Sequence, residues 1–170
     1  MEVVLIQGEE NTGKTTLCKM IEDCLIQNNF KEQDRRSRPE CGLEQDFTVL
    51  YEKDGCRIII NSESEKGGSD RFDDFYKKHS PYGDCDIIIT AIRPKNTNPN
   101  LHKWIKDVYK SDFKGEEYVI DLDTERNNEE NVDLDFCEFI KKVLEERGGE
   151  ILKKIKTKLE CKIEISINCP

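Results

Sequence analysis

The stretch that decides the fold is Gly8-Glu9-Glu10-Asn11-Thr12-Gly13-Lys14-Thr15, which fits the pattern G-x-x-x-x-G-K-(S/T) at every fixed position. The run before it, residues 2–7 (Glu-Val-Val-Leu-Ile-Gln), is apolar on both faces, as a central parallel strand is. From Lys14 to about Asn28, apolar residues recur at intervals of three and four, which predicts an amphipathic helix. We therefore predict a strand, a glycine-containing loop and a helix, in the order that this pattern requires.

The residue types of this loop suit the binding of phosphate. Gly8 lets the chain leave the strand in a conformation that a side chain would block, and Gly13 lets the backbone approach phosphate closely. Successive N–H groups then converge on the phosphate oxygens at the start of the helix. We expect Lys14 to reach the β- and γ-phosphates and the Thr15 hydroxyl to ligate Mg²⁺. The predicted binding residues are Gly8, Glu9, Glu10, Asn11, Thr12, Gly13, Lys14, Thr15 and Thr16.

On these residues the first 28 positions resemble the P-loop NTPase superfamily, and Gly-Glu-Glu-Asn-Thr-Gly-Lys-Thr-Thr is similar to the loops of nucleotide kinases and related ATPases. The resemblance implies that the chain binds a nucleoside triphosphate together with Mg²⁺ and hydrolyses or transfers the γ-phosphate. It also implies the three-layer fold of that superfamily. Beyond residue 28 the likeness is only topological.

The rest of the chain predicts an α/β protein with a mostly parallel sheet, one antiparallel hairpin and helices on both faces. Asp54-Gly55 joins two β-rich runs, 46–52 and 56–61, and predicts that hairpin, whereas residues 30–45 are predicted as a loop. Other predicted elements are a helix from Ser69 or Asp70 to Lys78, a strand at 86–92, a helix over 101–109 and a strand at 118–122. Residues 134–144 and 151–159 are predicted to be helical, with Gly148-Gly149 interrupting their apolar face, and 163–167 are predicted as an edge strand. No repeat or linker divides residues 1–170, so we expect a single domain.

A P-loop enzyme also places an acidic residue at the end of a neighbouring strand to hold the water shell of Mg²⁺. In parallel sheets, ligands lie beyond the carboxyl ends of the strands. Asp86 begins its strand and is therefore expected at the opposite edge of the sheet. Glu63 follows the strand at 57–60 and is the best candidate for this role. Asp121 and Asp123, at the end of 118–122, are the alternatives.

Two branches of the superfamily compete. The hairpin resembles the layout of small switch GTPases, but Asn61-Ser62-Glu63-Ser64 stands where that branch carries Asp-x-x-Gly, and no Asn-Lys-x-Asp occurs. ATP is therefore the expected nucleotide. Asp70-Arg71-Phe72 resembles the Asp-Arg-aromatic motif of thymidylate kinases, where the pair contacts the acceptor nucleotide; capping of a helix is the alternative interpretation.

A kinase further needs arginines that stabilise the migrating phosphate. Arg93, at the carboxyl end of the strand 86–92, is the best placed, and Arg35, Arg36 and Arg38 are the alternatives. The predicted catalytic residues are thus Lys14, Glu63 and Arg93, with Thr15 and Glu63 at the metal. We expect a Mg²⁺-dependent ATPase; a kinase with a small-molecule or nucleotide acceptor, and a nucleotide-gated interaction protein with little turnover, are the alternatives.

Composition bears on partners and location. The chain has 27 Lys and Arg and 36 Asp and Glu, which gives a net charge of -9. Because nucleic acids and anionic membranes attract positively charged proteins, this charge argues against either as a partner. The longest aliphatic stretch, 87–92, is far shorter than the roughly 20 residues of a membrane span, and the N-terminus lacks the basic segment of a signal peptide. The eight cysteines form no Cys-x-x-Cys pair and are expected to be reduced thiols. We expect a cytoplasmic protein.

Overall fold

The computed structural model describes residues 1–37, 46–64, 68–80, 85–112, 117–123, 145, 148–157 and 160. The delimited elements within these residues are β1 (Glu2–Gln7), α1 (Lys14–Gln27), β2 (Lys31–Ser37), β3 (Phe47–Lys53), β4 (Cys56–Asn61), α2 (Gly68–His79), β5 (Ile87–Ile92), α3 (Pro99–Asp112) and β6 (Glu117–Asp121). Residues 148–157 are also helical. None of the helices in this part of the chain is long and apolar enough to span a bilayer.

The strands form one mixed sheet in the order β2-β3-β4-β5-β1-β6. β1 pairs in parallel with β5 on one side and with β6 on the other, and β5 pairs in parallel with β4. β3 runs antiparallel to both of its neighbours, β2 and β4. The prediction of a mostly parallel sheet with a built-in antiparallel hairpin is therefore confirmed.

The turn of that hairpin explains why its two strands pair as predicted. Lys53 pairs with Cys56, which leaves Asp54 and Gly55 as a two-residue loop. Asp54 has a φ of 51° and Gly55 a φ of 75°, so both residues are left-handed, as a type I′ turn requires. This turn matches the twist of the strands and sets the register of β3 on β4.

Alternate residues of β1 contact two separate apolar clusters on the two faces of the sheet. Val4 and Ile6 pack with the apolar residues of α1 and of the helical segment 148–157, which are Leu17, Ile21, Leu25, Ile151 and Ile155. Val3 and Leu5 pack with the apolar residues of α2 and α3, which are Phe72, Phe75, Tyr76, Leu101 and Ile105. Helices thus cover both faces, and every strand residue of β5 is buried between them.

One local prediction is wrong. Residues 31–37, predicted as part of a loop, form the edge strand β2, whose side chains are exposed except for the half-buried Asp34. A polar edge strand has no buried face, and so it shows no hydrophobic period, while its charges suit an edge that must not pair with another chain. Gly148 and Gly149, which interrupt the predicted apolar face, are themselves helical, in keeping with the helical character predicted for this part of the chain. The predicted helix at 134–144, the predicted edge strand at 163–167 and Arg38 lie outside the described residues.

Candidate functional site

The candidate site is the loop 8–13, which connects the carboxyl end of β1 to the start of α1. The ends of both neighbouring strands hold this loop. The Gly8 amide donates to the Ile92 carbonyl at the end of β5 over 3.2 Å, and the Glu9 amide donates to Asp123 Oδ2, just beyond β6, over 2.9 Å. The loop therefore lies at the edge of the sheet where α/β proteins bind their ligands.

Two residues of the loop have left-handed backbones. Asn11 has a φ of 61° and Gly13 a φ of 96°, and the carbonyl of Gly13 accepts the first hydrogen bond of α1, from the Leu17 amide at 2.9 Å. Gly13 is the N-cap of α1, and no described side chain caps the helix. Its first turn also lacks acidic residues. Since the first amides of a helix have no acceptor within it, this N-terminus presents donors and a positive dipole to a ligand.

Gly8 is required by close packing rather than by an unusual φ. A Cβ on Gly8 would lie 2.4 Å from Thr12 Oγ1, 3.2 Å from Thr12 Cβ and 3.4 Å from the Cβ of Leu122. The hydroxyl of Thr12 donates to the Glu9 carbonyl at 3.0 Å, which fixes it against Gly8. The glycine of the motif thus allows the loop to fold tightly on itself.

The Lys14 side chain turns back into the loop. Its ammonium donates to the Glu9 carbonyl and lies 3.5 Å from Thr12 Oγ1, and only 6 % of the residue is exposed. Burial lowers the pKa of Lys14, with a smaller contribution from the charge of Arg93, against the opposing charges of Asp123, Glu9 and Asp46. The ammonium is thus held by neutral oxygens, which a phosphate oxygen can displace because charged acceptors bind it more strongly.

Thr15 contacts a carboxylate that the sequence analysis did not single out. Its hydroxyl donates to Asp46 Oδ1 at 3.0 Å, and the hydroxyl of Ser62 lies 3.5 Å from the same oxygen. Asp46 immediately precedes β3, whose direction is reversed. A reversed strand begins at the edge where parallel strands end, so a search restricted to the residues after strands could not find Asp46. The predicted hairpin, which reverses this strand, was the signal that could have led to it.

Glu63 lies at the expected edge of the sheet. It follows β4, however, and β4 is not a neighbour of β1. β5 lies between β4 and β1, which separates those two strands by roughly 10 Å. Glu63 is 4 % exposed, and its Oε2 accepts a hydrogen bond from Arg71 Nε at 2.7 Å. The structure therefore pairs Glu63 with Arg71, and its role at a metal stays a prediction.

Asp121 and Asp123, the alternative acids, support the loop. Asp121 Oδ2 accepts a hydrogen bond from the side chain of Gln7 at 2.9 Å, and Asp121 Oδ1 accepts one from the Asp123 amide at 3.2 Å. Asp123 itself accepts the hydrogen bond from Glu9. These two carboxylates therefore tie the end of β6 to the end of β1.

Arg93 lies beside the loop, as its position at the end of β5 predicts. Its Nη2 is 3.6 Å from the carboxylate of Glu10, and its charge contributes to the lowered pKa of Lys14. Arg35 and Arg36, two of the alternative arginines, contact different parts of the protein. Arg35 pairs with Glu22 and Glu32 and lies 5.2 Å from the ring centroid of Phe47. Arg36 Nη1 donates to the Arg71 carbonyl over 3.3 Å, so it ties β2 to α2.

The residues at Thr15 fit Mg²⁺. No group of three His, Cys, Asp or Glu side chains in the described ranges is arranged to hold a metal ion. Mg²⁺ bound to a nucleotide needs only one or two protein oxygens, since phosphate and water complete its octahedron. The Thr15 hydroxyl and the Asp46 carboxylate supply hard oxygen ligands of this kind.

Comparisons of the chain with protein-family models, with curated proteins and with solved structures find no match. A function for this chain is therefore inferred from the loop and from the side chains around it.

Proposed function

We propose that this chain is a three-layer P-loop domain that binds ATP with Mg²⁺ through residues 8–16 and hydrolyses it. The observation that carries the proposal is the tight loop between a central parallel strand and the N-terminus of α1, which no described side chain caps, with the ammonium of Lys14 turned into the loop. Backbone donors, a helix dipole and a lysine directed at one point are the features that hold a polyphosphate.

Several groups around the loop contribute to the binding of the phosphates. Lys14 leaves the Glu9 carbonyl and contacts the terminal phosphates, while the amides of the first turn of α1 donate to the phosphate oxygens. Arg93 adds a second positive charge from the end of β5. A bound Mg²⁺ supplies further charge neutralisation. Catalysis of this type depends on positioning and on preorganised charge, not on a covalent step with the protein.

The first prediction concerns Lys14→Ala. Loss of a charged hydrogen bond to phosphate costs about 1.5–3 kcal/mol, so ATP affinity falls by roughly 10- to 150-fold. Titration calorimetry with Mg²⁺ and a non-hydrolysable ATP analogue measures this change, and circular dichroism checks that the fold is retained. Lys103→Ala, on the exposed surface of α3, is the matched control and leaves the affinity unchanged. Equal affinities for wild type and Lys14→Ala would refute the proposed function.

A second candidate function, phosphate transfer to an acceptor, is favoured by a buried polar group beside the nucleotide site. The Glu63–Arg71 ion pair lies at the carboxyl end of β4. Nearby, Asn61 Nδ2 donates to Thr90 Oγ1 at 2.9 Å, and Asn98 Nδ2 donates to the Ser64 carbonyl at 3.2 Å. The Arg71 side chain is partly exposed while Glu63 is buried, and a partly exposed arginine at the ligand-binding edge of a sheet suits recognition of a second polar substrate.

Turnover separates the candidate functions. An ATPase releases phosphate from ATP and Mg²⁺ alone, whereas a kinase hydrolyses ATP slowly until a nucleoside, nucleotide or other hydroxyl acceptor accelerates ADP formation. Binding of ATP with phosphate release at background, in the presence and absence of acceptors, would instead favour a nucleotide-gated interaction protein.

A further inference from the structure

The hydroxyl of Thr15 already has an acidic partner, and that partner is not the residue that the end of a parallel strand would supply. Asp46 Oδ1 accepts its hydrogen bond at 3.0 Å from the start of the reversed strand β3. Each of the other candidate acids has a different partner: Glu63 binds Arg71, Asp121 binds Gln7, and Asp123 binds the Glu9 amide. Among these four carboxylates, Asp46 is the one that contacts the hydroxyl of the motif.

The distance between these two oxygens suits a shared cation. Mg²⁺ binds oxygen at 2.0–2.1 Å in an octahedron, so two adjacent ligands lie about 2.9 Å apart. The Thr15–Asp46 separation of 3.0 Å matches that edge, and the oxygens need no large movement to bind either the ion or a water of its shell.

The position of Asp46 is fixed by the neighbouring strand. Ser62, which is buried at the end of β4, lies with its hydroxyl 3.5 Å from Asp46 Oδ1 and also accepts a hydrogen bond from the Phe47 amide at 2.8 Å. The Phe47 carbonyl in turn accepts a hydrogen bond from the Ser62 amide at 2.9 Å. The pairing of Phe47 with Ser62 thus places Asp46 at the start of β3, where its carboxylate contacts both Thr15 of α1 and Ser62.

We propose that Asp46 is the acidic residue that positions Mg²⁺ beside Thr15, a role that rests on the proposed function of residues 8–16 as a nucleotide site. The carboxylate acts either directly on the ion or through one of its waters, and it keeps the Thr15 hydroxyl oriented with its lone pair toward the metal. In this chain the acid therefore comes from the reversed strand of the hairpin, and Glu63 remains with Arg71.

The second prediction concerns Asp46→Asn, which keeps an oxygen that accepts from Thr15 and removes the charge. The affinity for a non-hydrolysable ATP analogue is measured by calorimetry in Mg²⁺ and in EDTA, and the ratio of the two values gives the metal-dependent enhancement. We expect Asp46→Asn to lower this enhancement by about 10- to 100-fold, while the affinity in EDTA is retained or rises, because the lost carboxylate also repels the metal-free nucleotide. Thr15→Ala should lower it similarly, and the double variant should lose no more than either single one, because both groups act on one ion.

The comparison variants separate the possible outcomes. Asp74→Asn removes an exposed carboxylate of α2 and controls for net charge, while Glu63→Gln tests the competing acid. If the enhancement survives in Asp46→Asn, or is lost in Glu63→Gln instead, Asp46 does not position the metal. If the wild type binds the analogue in neither buffer, the proposed function fails as well, so the two failures are distinguishable.

Discussion

Glu10 is a carboxylate inside a loop that we propose binds a polyanion. Its side chain is 67 % exposed and lies 3.6 Å from Nη2 of Arg93, the arginine beside Lys14. In the ligand-free protein this contact offsets the mutual repulsion of the two cations. When phosphate binds, Glu10 becomes an unfavourable neighbour, because it repels the ligand and competes with it for Arg93.

The third prediction follows from this competition. Glu10→Gln should raise the affinity for Mg·ATP by about two- to fivefold, the effect of an exposed charge pair worth up to about 1 kcal/mol. Because salt screens exposed charges, the gain should shrink as ionic strength rises. Calorimetric titrations at low and high salt measure both effects. Arg93→Gln removes the positive charge instead and should lower the affinity. A Glu10→Gln variant that binds more weakly than wild type would mean that Glu10 supports the site instead of opposing the ligand.

The sequence predicted the residues of the loop better than their partners. Gly8, Gly13, Lys14 and Thr15 belong to a local pattern, in which a strand, a turn and a helix follow one another, so residue type and spacing suffice. Asp46 lies 31 positions from Thr15, and their contact exists only because β3 runs in reverse. The Asp54-Gly55 turn predicts the reversal, but the rule that ligands lie at the carboxyl ends of parallel strands does not point to the start of a reversed strand.

At the scale of elements, glycine shows where local patterns are ambiguous. Gly55 has a φ of 75° in the hairpin turn, whereas Gly149, which interrupts an apolar face in the sequence, lies in the helical segment 148–157. A Cβ added at either position meets nothing within 4 Å. The same substitution therefore tests backbone conformation alone at both sites.

The fourth prediction is that alanine has opposite effects at these two glycines. Gly55→Ala should destabilise the protein by about 1–2 kcal/mol, because alanine is strained in a left-handed conformation. Gly149→Ala should stabilise it by about 0.5–1 kcal/mol, because alanine loses less backbone entropy in a helix. Urea unfolding followed by circular dichroism measures both free energies of unfolding. If Gly149→Ala destabilises the protein, Gly149 does not lie in a regular helix.

The strands differ in how far their patterns reveal them. β1 and β5 are apolar along their length and are buried between helices, so their composition alone identifies them. β2 has the sequence Lys-Glu-Gln-Asp-Arg-Arg-Ser, and its strand conformation comes from pairing with β3 together with side-chain contacts such as Lys78 and His79 to Asp34, each at 2.7 Å. Interactions of this kind are tertiary, and no window of local sequence contains them.

At the scale of the whole molecule, charge opposes the proposed ligand. The net charge is -9, and the carboxylates that act on Lys14 or Arg93 near the loop are Glu9, Glu10, Asp46 and Asp123. They outnumber the two cations that they surround. Free ATP is a polyanion, so the net charge and these carboxylates repel it, against the attraction of Lys14, Arg93 and the helix N-terminus. A divalent cation removes two charges of the nucleotide and is itself attracted by Asp46.

The fifth prediction follows from this field. The association rate constant of a fluorescent ATP analogue should rise with ionic strength, because salt shortens the range of the repulsion from roughly 30 Å at 0.01 M to about 8 Å at 0.15 M. The rise should be steeper in EDTA than in Mg²⁺, since the metal-free nucleotide carries more charge. Stopped-flow measurements across this range of salt provide the test, with an uncharged nucleoside as the control. A rate that falls with added salt would show a positive local field, and binding would then depend less on the metal than the arrangement of Lys14, Asp46 and Thr15 implies.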